Sequence, residues 1–275
     1  MMNKNQELPI GIFDSGIGGL TVVSRIHHLL PHEDLIYLGD TARVPYGTKS
    51  PNTVIRFACE DTQFLVQQRV KAVVVACNTA SAWALPALEK LFSVPVYGVI
   101  LPGAISALKN TRNRRIGIIG TSATTNSLAY LKAIRAHEET AQVFSQACPL
   151  LVPLVEEGWT QHAVTTAILR EYLAPLLAKE IDTLVLGCTH YPLLRDAIRD
   201  VVGKGIALVD SAETCARYVS ECLGQLHLLQ PRRRKGRIQP FVTDAAEQFN
   251  TMAKRFLAAP TERAWKVELS SVLPQ

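Results

Sequence analysis

Short apolar runs rich in Val and Ile recur along this chain, and between them lie stretches in which apolar positions return with helical period. That alternation predicts a mostly parallel β-sheet architecture covered by helices. The runs place strands at residues 10–13, 35–38, 72–76, 94–99, 115–119, 143–147, 182–187, 206–209 and 239–242. Helices fill the gaps, with proline where a first turn tolerates its missing N–H, as at Ser50-Pro51, Leu101-Pro102 and Tyr191-Pro192.

A weak internal repeat organises these elements. Ile10-Gly11-Ile12-Phe13-Asp14-Ser15 resembles Ile116-Gly117-Ile118-Ile119-Gly120-Thr121, and the run ending in Cys77-Asn78-Thr79 resembles the one ending in Cys188-Thr189, in the same order and at a similar offset. Two similar α/β halves follow. In each, a polar turn succeeds the first strand and a Cys-containing turn succeeds a later one, at the carboxyl ends of parallel strands where such folds bind ligands. The segment after residue 210 lies outside the repeat, with residues 214–226 reading as a helix and residues 241–244 as a strand running into a helix capped near Thr243 or Asp244. We assign it to the first half, so that residues 1–98 with 210–275 form one domain and residues 99–209 the other.

Composition narrows the class. At 275 residues and nearly half apolar, the chain is long enough for two packed units. No apolar run approaches the ~18 residues of a membrane span and the start is polar, which leads us to expect a cytoplasmic protein. Six cysteines in such a chain point to free thiols rather than a disulfide framework. Much of the net charge of +5 sits in Arg232, Arg233, Arg234, Lys235 and Arg237, a run without interleaved aromatics, which reads as a solvated loop and not a nucleic-acid contact.

The chemistry concentrates in turns. Asp14-Ser15-Gly16-Ile17-Gly18-Gly19 lies between a strand and a helix, where glycines bring backbone N–H groups close to an anion. A dinucleotide turn would need glycine where Thr21 stands, although Asp40 is suitably spaced for a ribose. Asp40 to Gly47 forms a loop fixed by Pro45 and Gly47, in which Tyr46 offers a hydroxyl and a stackable face. Gly120-Thr121-Ser122-Ala123-Thr124-Thr125 is a hydroxyl-rich helix start suited to a carboxylate. Glu156 reads equally as a cap or a charge aimed into the cleft; Glu157 reads as surface.

The informative pair is Ala76-Cys77-Asn78-Thr79-Ala80 and Gly187-Cys188-Thr189-His190-Tyr191-Pro192. One buried cysteine after an apolar strand is ordinarily a small core residue. Two, at equivalent places and each followed by hydroxyl and amide or imidazole groups, suggest paired thiols at helix starts that lower their pKa. Cys59, Cys148, Cys215 and Cys222 lack this company and read as packing. The spacing of Cys188 and His190 completes no zinc set, and a Cys-His protease is poorly served because His190 is placed to assist its neighbour.

Asp-Ser-Gly-x-Gly-Gly at 14–19, Pro-Tyr-Gly at 45–47, Ala-Cys-Asn-Thr-Ala at 76–80, Gly-Thr at 120–121, Pro-Leu-Val-Glu at 153–156 and Gly-Cys-Thr-His-Tyr-Pro at 187–192 together resemble bacterial glutamate racemases, in order from about residue 10 to 257. His190 resembles the glutamate branch, where aspartate racemases typically show Glu. The resemblance implies two three-layer α/β domains related by a pseudo-twofold axis, with the active site in the cleft between them and no cofactor. It implies that Cys77 acts on D-glutamate and Cys188 on L-glutamate, with Asp14 beside the first and His190 and Glu156 beside the second. Ser15, Pro45, Tyr46, Gly47, Asn78, Thr79, Thr121, Thr189 and His190, with Asp14, would hold the substrate, and the product would feed peptidoglycan synthesis. A homodimer is left open. So are a superfamily racemase for another acidic amino acid, a non-catalytic binder of a small acidic ligand and a gyrase-interacting protein.

Overall fold

The structure is a computed structural model, and it describes residues 4–231, 234–257 and 261–270. In chain order its elements are β1 (Ile10–Asp14), α1 (Leu20–Leu29), β2 (Leu35–Gly39), α2 (Pro51–Gln67), β3 (Ala72–Val75), α3 (Asn78–Leu91), β4 (Val96–Gly98) and α4 (Ile100–Asn110). There follow β5 (Arg115–Gly120), α5 (Ser122–Asn126), α6 (Ala129–Arg135), β6 (Gln142–Ala147), α7 (Leu151–Glu156), α8 (Ala163–Leu177), β7 (Thr183–Gly187) and α9 (Arg195–Val202). The chain continues through β8 (Ala207–Asp210), α10 (Ser211–Gln225), β9 (Ile238–Val242), α11 (Ala246–Phe256) and β10 (Trp265–Lys266). Among the described residues no helix is long and apolar enough to cross a membrane.

The strands form two sheets, ordered β10-β9-β2-β1-β3-β4 and β6-β5-β7-β8. Every pairing is parallel. Setting β5 to β8 against β1 to β4 gives the same spatial order twice, the repeat expected from the sequence. β9 joins the first sheet by pairing with β2, Leu35 opposite Ile238. The two-residue strand β10 went unpredicted, being too short for any period to show. The helix after β9 begins later than expected: its N-cap is Ala245, in a left-handed conformation with φ of 53°. Thr243 and Asp244 are instead used in tying the loop after β2, the Thr243 hydroxyl donating to Asp40 and the Asp244 N–H to Thr41.

Side chains alternate across each sheet as the pleat requires. Ile10, Ile12, Ala72 and Val74 of the first sheet and Ile119, Leu184 and Leu186 of the second belong to one central core with α1, α10 and α11. Phe13, Val73 and Val75 face α2 and α3, and Ile116, Ile118 and Val185 face α4 and α6. The shared central core holds the two sheets with their carboxyl edges together. Of the basic cluster, Arg232 and Arg233 lie outside the described residues; Arg234 pairs with Asp34 on the exposed surface, as a solvated loop should.

One buried ion pair fastens the amino ends of the strands. Lys71 meets Glu33 with both side chains almost fully buried, and its ammonium also donates to the Gln6 carbonyl at 2.9 Å while Glu33 accepts the Gln230 N–H at 2.8 Å. Removing one partner of such a pair strands the other charge, at a cost of about 3–5 kcal/mol. Lys71→Met should therefore lose stability of that order in denaturant unfolding, and Lys71→Met combined with Glu33→Leu should lose less. A single variant as stable as the parent would show that the pair is not what fastens this end.

Candidate functional site

Strand register brings the chemistry together. Phe13 pairs with Val75, so Asp14 and Ser15 leave the sheet beside Ala76 and Cys77. In the second sheet Gly120 pairs with Gly187, so Thr121 leaves beside Cys188. Cys77 thus stands two residues past β3 and Cys188 one past β7, with 5% and 6% of their surface exposed.

Cys77 is the N-cap of α3, and its Sγ accepts the Ala80 N–H at 3.5 Å and lies 3.7 Å from the Ser15 hydroxyl. A helix start was expected to lower this thiol's pKa. The reverse holds: burial, reinforced by the charge of Asp14, pushes Cys77 up to about 12 against the pull of Ala80 and Ser15. Charge on Cys188 adds to the same rise, which places the two thiols within each other's field. Desolvation outweighs the weak hydrogen bonds that the sulfur makes with Ala80 and Ser15.

Cys188 does not cap an α-helix. Its carbonyl accepts the Tyr191 N–H in a turn that leads to a short 3-10 helix, Tyr191–Leu194. Its Sγ lies 3.9 Å from His190 Nδ1, and His190 Nε2 lies 3.0 Å from Glu156 Oε1. Burial disfavours an imidazolium, yet the hydrogen bonds and charges of Cys188 and Glu156 overcome it and push His190 up to about 10. Phe256, at the end of α11, meets the His190 ring edge-on at 5.7 Å, and Arg255 donates to the Glu156 carbonyl at 2.8 Å. Glu157 is exposed, as expected.

Asp14 is fully buried and accepts the Gly16 N–H at 3.0 Å and the Thr189 hydroxyl at 3.4 Å. Burial raises its pKa, opposed by the charge of His190 and by N–H groups of Gly16 and Gly19. The glycine turn has a further use. A Cβ on Gly18 would lie 2.3 Å from Thr189 Oγ1 and 2.4 Å from His190 Nδ1, so this glycine admits the opposing turn.

Hydroxyls line the remainder. Thr79 lies 2.9 Å from Thr121 and 3.1 Å from Thr124, which are 3.0 Å from each other. Gly47 packs against Thr121, where a Cβ would stand 2.8 Å from that of Thr121. Tyr46, which Pro45 precedes in the turn, is turned away: its hydroxyl bonds Asp40 and Asp61, leaving only its ring and backbone for the site. The Asn78 amide accepts the Tyr130 hydroxyl at 2.8 Å, and its nitrogen is 3.5 Å from Ser211. No group of three or more His, Cys, Asp or Glu among the described residues is arranged to hold a metal ion.

Several participants escaped the sequence. Thr21, noted only for breaking a dinucleotide fingerprint, donates to the Thr189 carbonyl at 2.9 Å and so joins the two turns. Thr124, read from the sequence only as part of a hydroxyl-rich helix start, completes the hydroxyl triangle. Tyr130, Ser211, Arg255 and Phe256 fall outside the motifs and carry no local signal.

Residues 10–219 match the family model described as Asp/Glu/hydantoin racemase. The glutamate racemase of Geobacter metallireducens is 51% identical over 262 residues, covering 95% of this chain and 97% of that protein. A glutamate racemase isoform of Bacillus anthracis superposes with a TM-score of 0.92 at 40% identity, over 96% of this chain and 98% of the other. A Francisella tularensis glutamate racemase solved in complex with D-glutamate gives 0.88 at 37% identity, with the same coverage.

The raised His190 value has a direct signature. Folding lifts it from about 6.5, so its stabilising contribution is fully present below that pH and is lost as pH rises through about 10. Nitrogen-15 NMR should show this ring as imidazolium through the neutral range, and Cys188→Ala should lower its pKa. Titration at the ordinary histidine value in the unchanged protein would contradict the pairing.

Proposed function

This chain belongs to the Asp/Glu/hydantoin racemase family, and on that premise we propose that it is a glutamate racemase that moves the α-proton between Cys188 and Cys77. The observation that carries the reading is the pair of cysteines past equivalent strands, each supplied with its own polar partners. The chain's identity to glutamate racemases and the D-glutamate bound to the Francisella relative support the substrate.

The α-proton of an amino acid is weakly acidic, and inversion requires one group to remove it from one face while another delivers a proton to the opposite face. The cleft between residues 1–98 with 210–275 and residues 99–209 supplies one thiol from each side. With L-glutamate bound, Cys188 thiolate, paired with the His190 imidazolium that Glu156 orients, takes the α-proton into its S–H. The electron pair delocalises toward the α-carboxylate, and the Cys77 thiol donates its proton on the other face, giving D-glutamate and Cys77 thiolate.

The unequal electrostatics fit this direction. A Cys77 thiol pushed up to about 12 is a proton donor at rest, and the substrate ammonium near Asp14 would ease the thiolate that forms after transfer. The hydroxyls of Thr79, Thr121 and Thr189, with Ser15 and Asn78, can receive the carboxylates. Preorganised donors of this kind act where charge develops. No pyridoxal or flavin is needed by this route, and the D-glutamate formed would serve peptidoglycan synthesis.

Circular dichroism of L-glutamate with purified protein and no added cofactor tests the activity: the signal should decay to zero, and an unchanged signal would leave a binder. The two thiols separate with an elimination-prone analogue, because elimination needs abstraction alone. With N-hydroxyglutamate, Cys77→Ser should act on the L-form only and Cys188→Ser on the D-form only. The reverse pairing would overturn the assignment of faces.

A further inference from the structure

The loop after β2 carries a buried charge cluster that proton transfer does not use. Arg43 donates through Nε to Asp40 at 2.6 Å and through Nη2 to Asp61 at 3.1 Å, and its Nη1 meets Glu60. Its guanidinium also lies 4.1 Å from the centre of the Phe57 ring. Tyr46 is fixed by the same groups, its hydroxyl bonding Asp40 and lying 2.9 Å from Asp61, its ring 5.5 Å from that of Phe57. Asp40 and Asp61 are wholly buried.

Three carboxylates around one guanidinium would leave excess negative charge in a dry place, which a buried site resolves by holding a proton. Burial first, then the charge of Asp40, drives the Asp61 pKa well above the usual carboxylate range. Among the described residues Arg43 pairs with all three carboxylates, and Asp40 is further fixed by the Thr243 hydroxyl at 2.9 Å. The next residue after Tyr46 is Gly47, which touches Thr121, whose hydroxyl is 2.9 Å from that of Thr79. An uninterrupted set of contacts thus runs from Arg43 to the hydroxyls of the cleft.

We propose that Arg43 is a positioning residue, which holds the Tyr46–Gly47 turn against Thr121 and so sets the wall that receives a substrate carboxylate, without itself touching substrate. This rests on the reading of the cleft as a glutamate site. Arginine is suited to the task because its planar fork reaches several carboxylates at once, where a lysine ammonium offers a single point of charge.

The test is steady-state kinetics on L-glutamate together with thermal unfolding. Arg43→Met should raise KM about tenfold while kcat changes less than about threefold, the pattern of lost binding rather than lost chemistry. Arg43→Lys should recover only part of it, and Tyr46→Phe should raise KM without adding its full effect to that of Arg43→Met, since both act on one turn. Lys71→Met, destabilised at the far end of the strands, should keep the parent KM, which separates positioning from general loss of stability. If Arg43→Met does not fold, Arg43→Lys and Tyr46→Phe decide the matter by the same split. An active parent whose Arg43 and Tyr46 variants keep its KM, or lose kcat alone, would overturn this role only. A parent inert toward glutamate would overturn the functional reading beneath it.

Discussion

The site depends on how closely two turns from different sheets approach. The turn after β1 and the turn after β7 meet with no room for a single carbon at Gly18, since a Cβ there would fall within 2.5 Å of both Thr189 and His190. That approach lets Thr21 donate to the Thr189 carbonyl and Thr189 to Asp14, so the turn on each sheet helps to fix the turn on the other. The contact of Gly47 with Thr121 joins the loop after β2 to the turn after β5 in the same way. Interiors transmit such constraints because they are close-packed and resist deformation.

Within that frame the repeat is geometric, and the electrostatics are not repeated. Cys77 sits with a buried carboxylate, accepts the Ala80 N–H and donates to the Ser15 hydroxyl, and burial pushes its pKa up to about 12. Cys188 sits with an imidazole that a glutamate carboxylate supports from behind. Two equal positions on two similar sheets therefore carry unequal polar surroundings, a buried carboxylate beside Cys77 and an imidazole backed by Glu156 beside Cys188.

Much of this was legible in the chain. Continuous apolar runs located the buried strands β1, β2, β3 and β7, since buried parallel strands write their burial directly into sequence, and the recurrence of Asp14-Ser15 as Gly120-Thr121 and of Cys77 as Cys188 exposed the repeat. What local pattern could not carry was the balance of opposing terms at one atom. A helix start next to Cys77 argued for a lowered pKa, but the burial that outweighs it comes from residues distant in sequence. Likewise Tyr46 looked like a hydroxyl for the ligand until Asp61, fifteen positions on, was seen to take it, and Phe256 reaches His190 only through packing of α11.

The central claim is that two different groups serve the two faces of the α-carbon. Incubation of L-glutamate with the protein in deuterium oxide, stopped at low conversion, tests it most directly through the isotope at Cα in product and in recovered substrate. The account predicts D-glutamate carrying solvent deuterium while the remaining L-glutamate keeps its protium, because the thiol that removes the proton is not the one that returns it. Deuterium entering recovered L-glutamate as fast as it enters D-glutamate would contradict it, for that is the behaviour of one base reaching both faces.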